Sequence, residues 1–279
     1  FTEDMNERAH EALFLENNLR KAIDNRELAL YYQPQVDITS GKMTGMEALV
    51  RWHHPKLGVI APNKFIPMAE ETGLIIPLGK WVINTACQQT LKWQRAGFPP
   101  CKIAVNISPR QFRQSHLVET VTQALEESGL DASWLELEIT ENVLVEDVTQ
   151  TIEVMEALNA IGVSLAIDDF GTGYSSLNYL HRFPLSKLKI DQSFVQSIGG
   201  PAGNHAIVEA IIALARALEL EVIAEGIESQ AHIAFLKEHG CVYGQGFYFS
   251  RPLPVDAFEQ FLRRGRLKNN GRQTQPLPL

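Results

Sequence analysis

The chain has 279 residues and 45% hydrophobic content, enough for a full core, so disorder over most of its length is excluded. With 25 Lys+Arg against 33 Asp+Glu the formal charge is −8, which argues against a DNA- or RNA-coating protein with a basic stripe. Cys87, Cys101 and Cys241 are odd in number, far apart and lack CxxC spacing; neither a disulfide scaffold nor a zinc cluster is expected, and a cytoplasmic setting is the simplest reading.

Residues 1–27 are highly charged, with Ala12, Leu15, Leu19, Ala22 and Ile23 at helical spacing. They predict an amphipathic lead-in helix, either the first helix of the domain or a linker from an upstream one. The absence of a Met before Phe1 suggests a piece of a longer protein, which could carry a membrane anchor. No apolar run of 18 or more residues occurs, so no membrane contact by this domain itself is expected.

From residue 28 the pattern alternates. Apolar, β-rich runs cover 28–37, 43–52, 102–108, 135–140, 164–169, 187–191, 221–227 and 243–249, with helical patterns at 77–96, 115–129, 148–162, 203–219, 229–239 and 254–263. Eight strands with intervening helices predict an α/β fold, a TIM-like (β/α)8 barrel over residues 28–264. Only Ile38 to Lys42 separate the first two strands, too few residues for a parallel crossover, so the first strand should run antiparallel to its neighbour. Residues 265–279, with Arg266, Lys268 and Arg272 and no acids, are expected to form a flexible basic tail of no assigned role.

Side chains alternate along a strand, so the apolar set of each strand marks its helix-facing side and turns the other set toward the barrel axis. Ile103, Val105 and Ile107 turn Asn106 inward; Leu135, Leu137 and Ile139 turn Glu138 inward. The same parity aims Asp168, Lys189 and Glu225 at the axis, groups Glu47, Leu49 and Arg51 on one face, and groups Tyr243, Gln245 and Phe247 on another. Asp169 stands one step above Asp168. Most of these lie toward the C-terminal ends of their strands, where barrel enzymes keep their sites.

Five carboxylates at one axis, Glu47, Glu138, Asp168, Asp169 and Glu225, repel one another unless cations neutralise them. Oxygen ligands with an Asn amide favour Mg²⁺ or Mn²⁺ over zinc, and adjacent Asp168 and Asp169 suit two ions. A two-metal site fits in-line attack of water on a phosphodiester. Lys189 is expected to orient that water or stabilise phosphate charge, and Arg51 to hold a non-scissile oxygen.

At these residues a family resemblance becomes specific. Glu47-Ala48-Leu49-Val50-Arg51-Trp52 is similar to the signature of EAL-domain cyclic-di-GMP phosphodiesterases. Asn106-Ile107-Ser108, Glu138-Ile139-Thr140-Glu141, Asp168-Asp169-Phe170-Gly171-Thr172-Gly173-Tyr174-Ser175, Lys189-Ile190-Asp191, Ala224-Glu225-Gly226-Ile227-Glu228 and Gly244-Gln245-Gly246 follow in order. The resemblance implies hydrolysis of cyclic di-GMP to linear pGpG with two Mg²⁺ or Mn²⁺ ions, Ca²⁺ being inhibitory. It implies metal ligation by Glu47, Asn106, Glu138, Asp168, Asp169 and Glu225, and catalytic roles for Glu47, Lys189, Glu225 and Gln245. Gln33, Leu49 and Arg51 match substrate-contacting positions. The Gly171-Thr172-Gly173 stretch resembles a mobile loop, anchored by Glu141, that couples homodimerisation to activity. The opening segments resemble the joint to an upstream GGDEF-type domain, so a GGDEF or sensor domain is expected in the full-length protein.

Two other readings stand beside the hydrolase. A catalytically silent sensor would bind cyclic di-GMP tightly without forming pGpG. A Schiff-base aldolase would use Lys189 as an amine, which five surrounding carboxylates oppose by holding it charged. His53 and His54 lack metal-ligand spacing, and Trp52, Phe170, Tyr174 and Phe247 fit core packing at least as well as stacking on a base.

Overall fold

A computed structural model of the chain describes residues 3–144, 147–172, 180–199 and 205–264, with the backbone alone for residues 3–12, 24 and 264. Its strands, in chain order, are β1 (Leu28–Asp37), β2 (Met43–His54), β3 (Gly58–Ile60), β4 (Lys102–Ile107), β5 (Leu135–Thr140), β6 (Ser164–Phe170), β7 (Lys187–Ile190), β8 (Glu221–Ala224), β9 (Tyr243–Gly244) and β10 (Leu253–Pro254). Eight of them close a barrel in the order β1-β2-β4-β5-β6-β7-β8-β9, and β9 returns to β1. All neighbours from β2 to β9 in this ring are parallel, and β1 is antiparallel to both β2 and β9. The predicted TIM-like barrel with one reversed strand is therefore what the chain forms.

The reversal begins in the short connection. The Asp37 carboxylate accepts hydrogen bonds from the Thr39 and Ser40 amides at 2.9 and 2.7 Å, a local turn that folds β2 back on β1. The register then sets Gln33 opposite Glu47 and Tyr31 opposite Leu49. β3 extends β2 as an outer hairpin, and β10 pairs with Tyr31 and Tyr32 of β1, the part of that strand that β9 does not reach.

Ile103, Val105, Ile107, Leu135, Leu137, Ile139, Leu165, Ile167, Leu188 and Ile190 are all buried, as the outward apolar set should be. The helices Ile75–Arg95, Leu117–Ser128, Val148–Ala160, His205–Ala217, Gln230–Glu238 and Val255–Arg264 cover them, each within a few residues of its predicted span. The first helix runs Glu3–Asp24; Leu15, Leu19 and Ala22 are buried in the common core and Ile23 packs against it. Among the described residues no helix is long and apolar enough to cross a membrane. The tail at 265–279 lies outside the described residues.

The strand expectations need correction at the end of the barrel. β8 stops at Ala224 rather than residue 227, and β9 at Gly244 rather than 249. Gly226 has φ 66°, a left-handed backbone that ends the extended run. At Gly246 a Cβ would lie 2.3 Å from the Ile227 backbone, so the two loop segments touch where pairing ceases. The helix Pro62–Thr72 and the short strands β3 and β10 are additions that the apolar pattern did not predict.

Candidate active site

Lys189 is the hub of the C-terminal end of the barrel. It is wholly buried, and its ammonium lies 2.7 Å from Glu138 Oε2, 2.8 Å from Glu225 Oε1, 3.1 Å from Asp168 Oδ1 and 3.8 Å from Glu47 Oε2. Four strands and the loop after β8 are thus tied to one nitrogen. Burial works against that charge, but Asp168, Glu138, Glu225 and Glu47 outweigh it and push the ammonium well above its usual range. A lysine held charged in this way is unsuited to be an amine nucleophile.

One cation does not balance the acids. Burial, reinforced by Asp168 and Glu47 against Lys189, pushes Glu225 up to about 8. Burial and the neighbouring Asp168 and Asp191 push Asp169 up to about 6. Glu138 is pushed well above the carboxylate range by burial, with Lys189 opposing and Glu47 and Asp168 adding to it. Its Oε1 is buried and has no hydrogen-bond partner among the described residues. The pocket is short of positive charge.

Asp168 and Asp169 both enter this pocket because β6 carries an extra residue. Ile167 pairs with Leu188 and Phe170 with Ile190, which leaves two aspartates opposite the single Lys189. At this bulge Asp169 adopts φ 53°, and the Asp168 carboxylate accepts its amide at 2.9 Å. Oxygens of Asp168, Asp169 and Glu225 all lie within 4.8 Å of one another, an arrangement able to hold a metal ion. Strand parity alone points Asp169 outward; the bulge turns it back.

Around the acids stands a ring of amides. Asn106, exposed at the mouth, donates to Glu47 Oε1 at 2.6 Å. Gln245 donates through its amide to Glu47 Oε2 and, at 3.0 Å, to Gln33 Oε1. Gln33 in turn donates to the Ser250 carbonyl at 3.0 Å. Leu49 and Arg51 are half-buried farther along the Glu47 face, with the Arg51 guanidinium 5.6 Å over the Tyr31 ring. Burial lowers the Arg51 pKa, with Tyr31 and Glu47 opposing. Glu141 is buried below the bulge and accepts the Gly171 amide at 3.0 Å. Gly173, Tyr174 and Ser175 lie outside the described residues.

The weaker candidates separate cleanly. Trp52 and Phe170 are core residues, whereas Phe247 is exposed. His54 is buried, and its Nδ1 accepts the Lys56 and Leu57 amides at 3.1 and 3.2 Å, a turn-closing role. The inward readings missed a second ion pair, Lys187 to Glu136 at 2.7 Å, both buried. Each lies two residues before Lys189 or Glu138, so parity already assigned them to the barrel interior.

The EAL domain model matches residues 16–252. The chain is 46% identical over 256 residues to the bifunctional diguanylate cyclase/cyclic di-GMP phosphodiesterase MucR of Pseudomonas aeruginosa, covering 92% of this chain and 37% of that protein. It is 45% identical over 266 residues to the cyclic di-GMP phosphodiesterase NbdA of the same organism, covering 95% of this chain and 34% of that protein. The chain therefore spans little more than a third of these relatives. The solved structure of the MucR phosphodiesterase in complex with c-di-GMP superposes with a TM-score of 0.85 at 45% identity, covering 88% of this chain and 99% of that one. A closed barrel with one reversed strand, an acidic pocket at its C-terminal end and this family match together identify the chain: it belongs to the EAL domain family.

Proposed function

We propose that the chain is a divalent-metal-dependent phosphodiesterase that hydrolyses cyclic di-GMP to linear 5′-pGpG. The observation that carries this reading is the convergence of Asp168, Asp169 and Glu225 oxygens within 4.8 Å, in a pocket whose one ammonium does not neutralise its carboxylates. The donor set fits the group: hard oxygen ligands, an Asn amide, and an unpartnered, buried Glu138 oxygen suit two Mg²⁺ or Mn²⁺ ions. Glu47, Asn106, Glu138, Asp168, Asp169 and Glu225 would hold them. Such ions supply an activated water and charge neutralisation at the phosphoryl oxygens.

The chain's own residues do the rest. Lys189, fixed by its carboxylates, orients the attacking water and stabilises the charge that builds on phosphorus-bound oxygen. Gln245, held by Glu47 and Gln33, positions the same water from the other side. Arg51 binds a non-scissile phosphate oxygen, and Gln33 and Leu49 line the ligand. The water oxygen bonds to phosphorus and gives up a proton, the bond from phosphorus to the ribose 3′ oxygen breaks, and the 3′ oxygen takes up a proton, so that one water is consumed in all.

In the whole protein this domain works as a homodimer downstream of a GGDEF or sensor domain. Relatives about two and a half times as long or more, one of them carrying diguanylate cyclase activity in its name, support the second part. Sedimentation of the full-length protein tests the first. The reaction is tested by incubating this chain with cyclic di-GMP and following pGpG by chromatography. Mg²⁺ or Mn²⁺ should give product, EDTA should stop it, and Ca²⁺ should substitute poorly. Tight binding without pGpG would make the domain a sensor instead.

A further inference from the structure

Beneath the acidic pocket lies a second buried ion pair to which the proposed reaction gives no part. Lys187 Nζ donates to Glu136 Oε1 at 2.7 Å, with Glu136 1% and Lys187 6% exposed. The pair repeats the contact above it: Lys189 meets Glu138 at 2.7 Å, each partner two residues farther along the same strand. Both contacts bridge β5 and β7 across β6. The inward residue of β6 at that level is Ala166, paired with Glu138 on one side and Lys187 on the other, and its methyl group leaves room for the lysines to reach over.

Stability alone is a weak account of this pair. Replacing a buried ion pair by apolar residues of similar volume is often neutral or stabilising, because making the pair takes two charges out of water. The geometry gives it another role, at the edge of the Lys189 network. One inward step along a strand is roughly 6.6 Å, which puts Glu136 that far below Glu138, within the swing of the flexible lysine stem. Glu136 Oε2 is buried and has no hydrogen-bond partner among the described residues, so this carboxylate has an acceptor to spare. Lys189 nonetheless pairs upward, with Glu138, Asp168, Glu225 and Glu47. On its β6 side the strand ladder does not hold it: pairing runs from Lys187 to Leu188 and resumes only at Ile190. The height of the ammonium is therefore set by which carboxylates are free to receive it. Carboxylates that ligate metal ions give Lys189 less of their charge, so a free acid below would draw it more strongly.

We infer that Lys187 is a positioning residue for the reaction: by holding Glu136, it keeps that carboxylate from drawing the Lys189 ammonium down out of the pocket. The inference rests on the proposed role of Lys189 at the attacking water, and adds the residue that keeps Lys189 there.

The test compares the wild-type chain with Lys187→Met and with the double variant Lys187→Met/Glu136→Gln. In Mn²⁺, Lys187→Met should lower kcat for cyclic di-GMP about tenfold or more with KM close to wild type, and removing the Glu136 charge as well should bring kcat back to within about threefold. Metal-free crystals of Lys187→Met should show Lys189 Nζ hydrogen-bonded to Glu136, and those of the double variant should show it on Glu138. Lys187→Gln, which also leaves Glu136 without its cation, replaces Lys187→Met if that chain does not fold. Wild-type kcat in Lys187→Met overturns the inference. So does a double variant as slow as the single one, because a pair that acts only through packing is not rescued by a second change. A wild-type chain that yields no pGpG in Mn²⁺ removes the hydrolase reading. The crystals then decide the inference by themselves, and Lys189 remaining on Glu138 in Lys187→Met overturns it.

Discussion

Asp168 and Asp169 are consecutive residues of one strand, yet their carboxylates share a pocket, because β6 carries both of them opposite the single Lys189. The left-handed backbone at Asp169 is what makes this possible. Asn tolerates that conformation nearly as well as Asp. Asp169→Asn should therefore leave the melting temperature close to wild type while turnover falls about a hundredfold or more, beyond the 10–100-fold typical of residues that only support a ligand. Asp169→Val should instead destabilise the fold by about 1–2 kcal/mol through backbone strain. Paired melting curves and turnover rates separate the two effects.

Lys189 supplies the cation that the metal-free pocket relies on. Lys189→Met leaves Glu138, Glu225 and Asp168 without it, a loss of the kind that costs about 3–5 kcal/mol when one partner of a buried pair is removed. The variant should melt well below wild type in EDTA, and Mn²⁺ should raise its melting temperature more than it raises that of wild type. Equal shifts would separate Lys189 from the charge balance of the pocket.

Metal binding should depend on pH with a defined sign. Without a metal ion, burial raises Glu225 to about 8, Asp169 to about 6 and Glu138 well above the carboxylate range, and ligation requires all three to lose their protons. Apparent affinity for Mn²⁺ should rise as pH climbs from 6 through 8. At pH 7 binding should release at least about one proton, from Glu225 and Glu138, read by calorimetry in buffers of differing ionisation heat. The linkage to stability has the same origin. A carboxyl raised from 4.5 to about 8 by folding favours the folded state at low pH, and that contribution is lost as pH climbs through this window. The metal-free chain should lose it there, and Mn²⁺ should restore it.

Much of this pocket was legible before any coordinates. Alternation within β4, β5, β6 and β7 was enough to send Asn106, Glu138, Asp168 and Lys189 inward, because each strand has an unbroken apolar set on its other face. The five-residue connection was enough to reverse β1. What alternation cannot express is a change of phase. Asp169 depends on a bulge set by pairing with β7, and Gln245 lies beyond the last paired residue of β9, its backbone amide donating to the Ala224 carbonyl and its side chain to Gln33 and Glu47. Glu136 and Lys187 were within reach of the same rule, and the two-residue spacing to Glu138 and Lys189 was the signal. The Pro62–Thr72 helix is obscured by Pro62 at its start and Pro67 inside it.

Glu141 offers a test of what steadies the bulge. Its carboxylate accepts the Gly171 amide immediately beyond β6, and Thr172 closes a turn on the Asp169 carbonyl at 2.9 Å. Glu141→Ala should speed hydrogen exchange at Gly171 and lower turnover roughly tenfold, the low end for loss of a supporting residue. Unchanged exchange would remove Glu141 from that role.

The account depends most on the acidic pocket being a seat for divalent ions. Crystals soaked in Mn²⁺ and measured for anomalous scattering address it directly. The prediction is strong peaks among Asp168, Asp169, Glu225 and their neighbours, at roughly 2.0–2.3 Å from carboxylate oxygens, the range for small hard cations with oxygen ligands. A map with no peak there, from crystals in which Mn²⁺ is seen elsewhere, would contradict it.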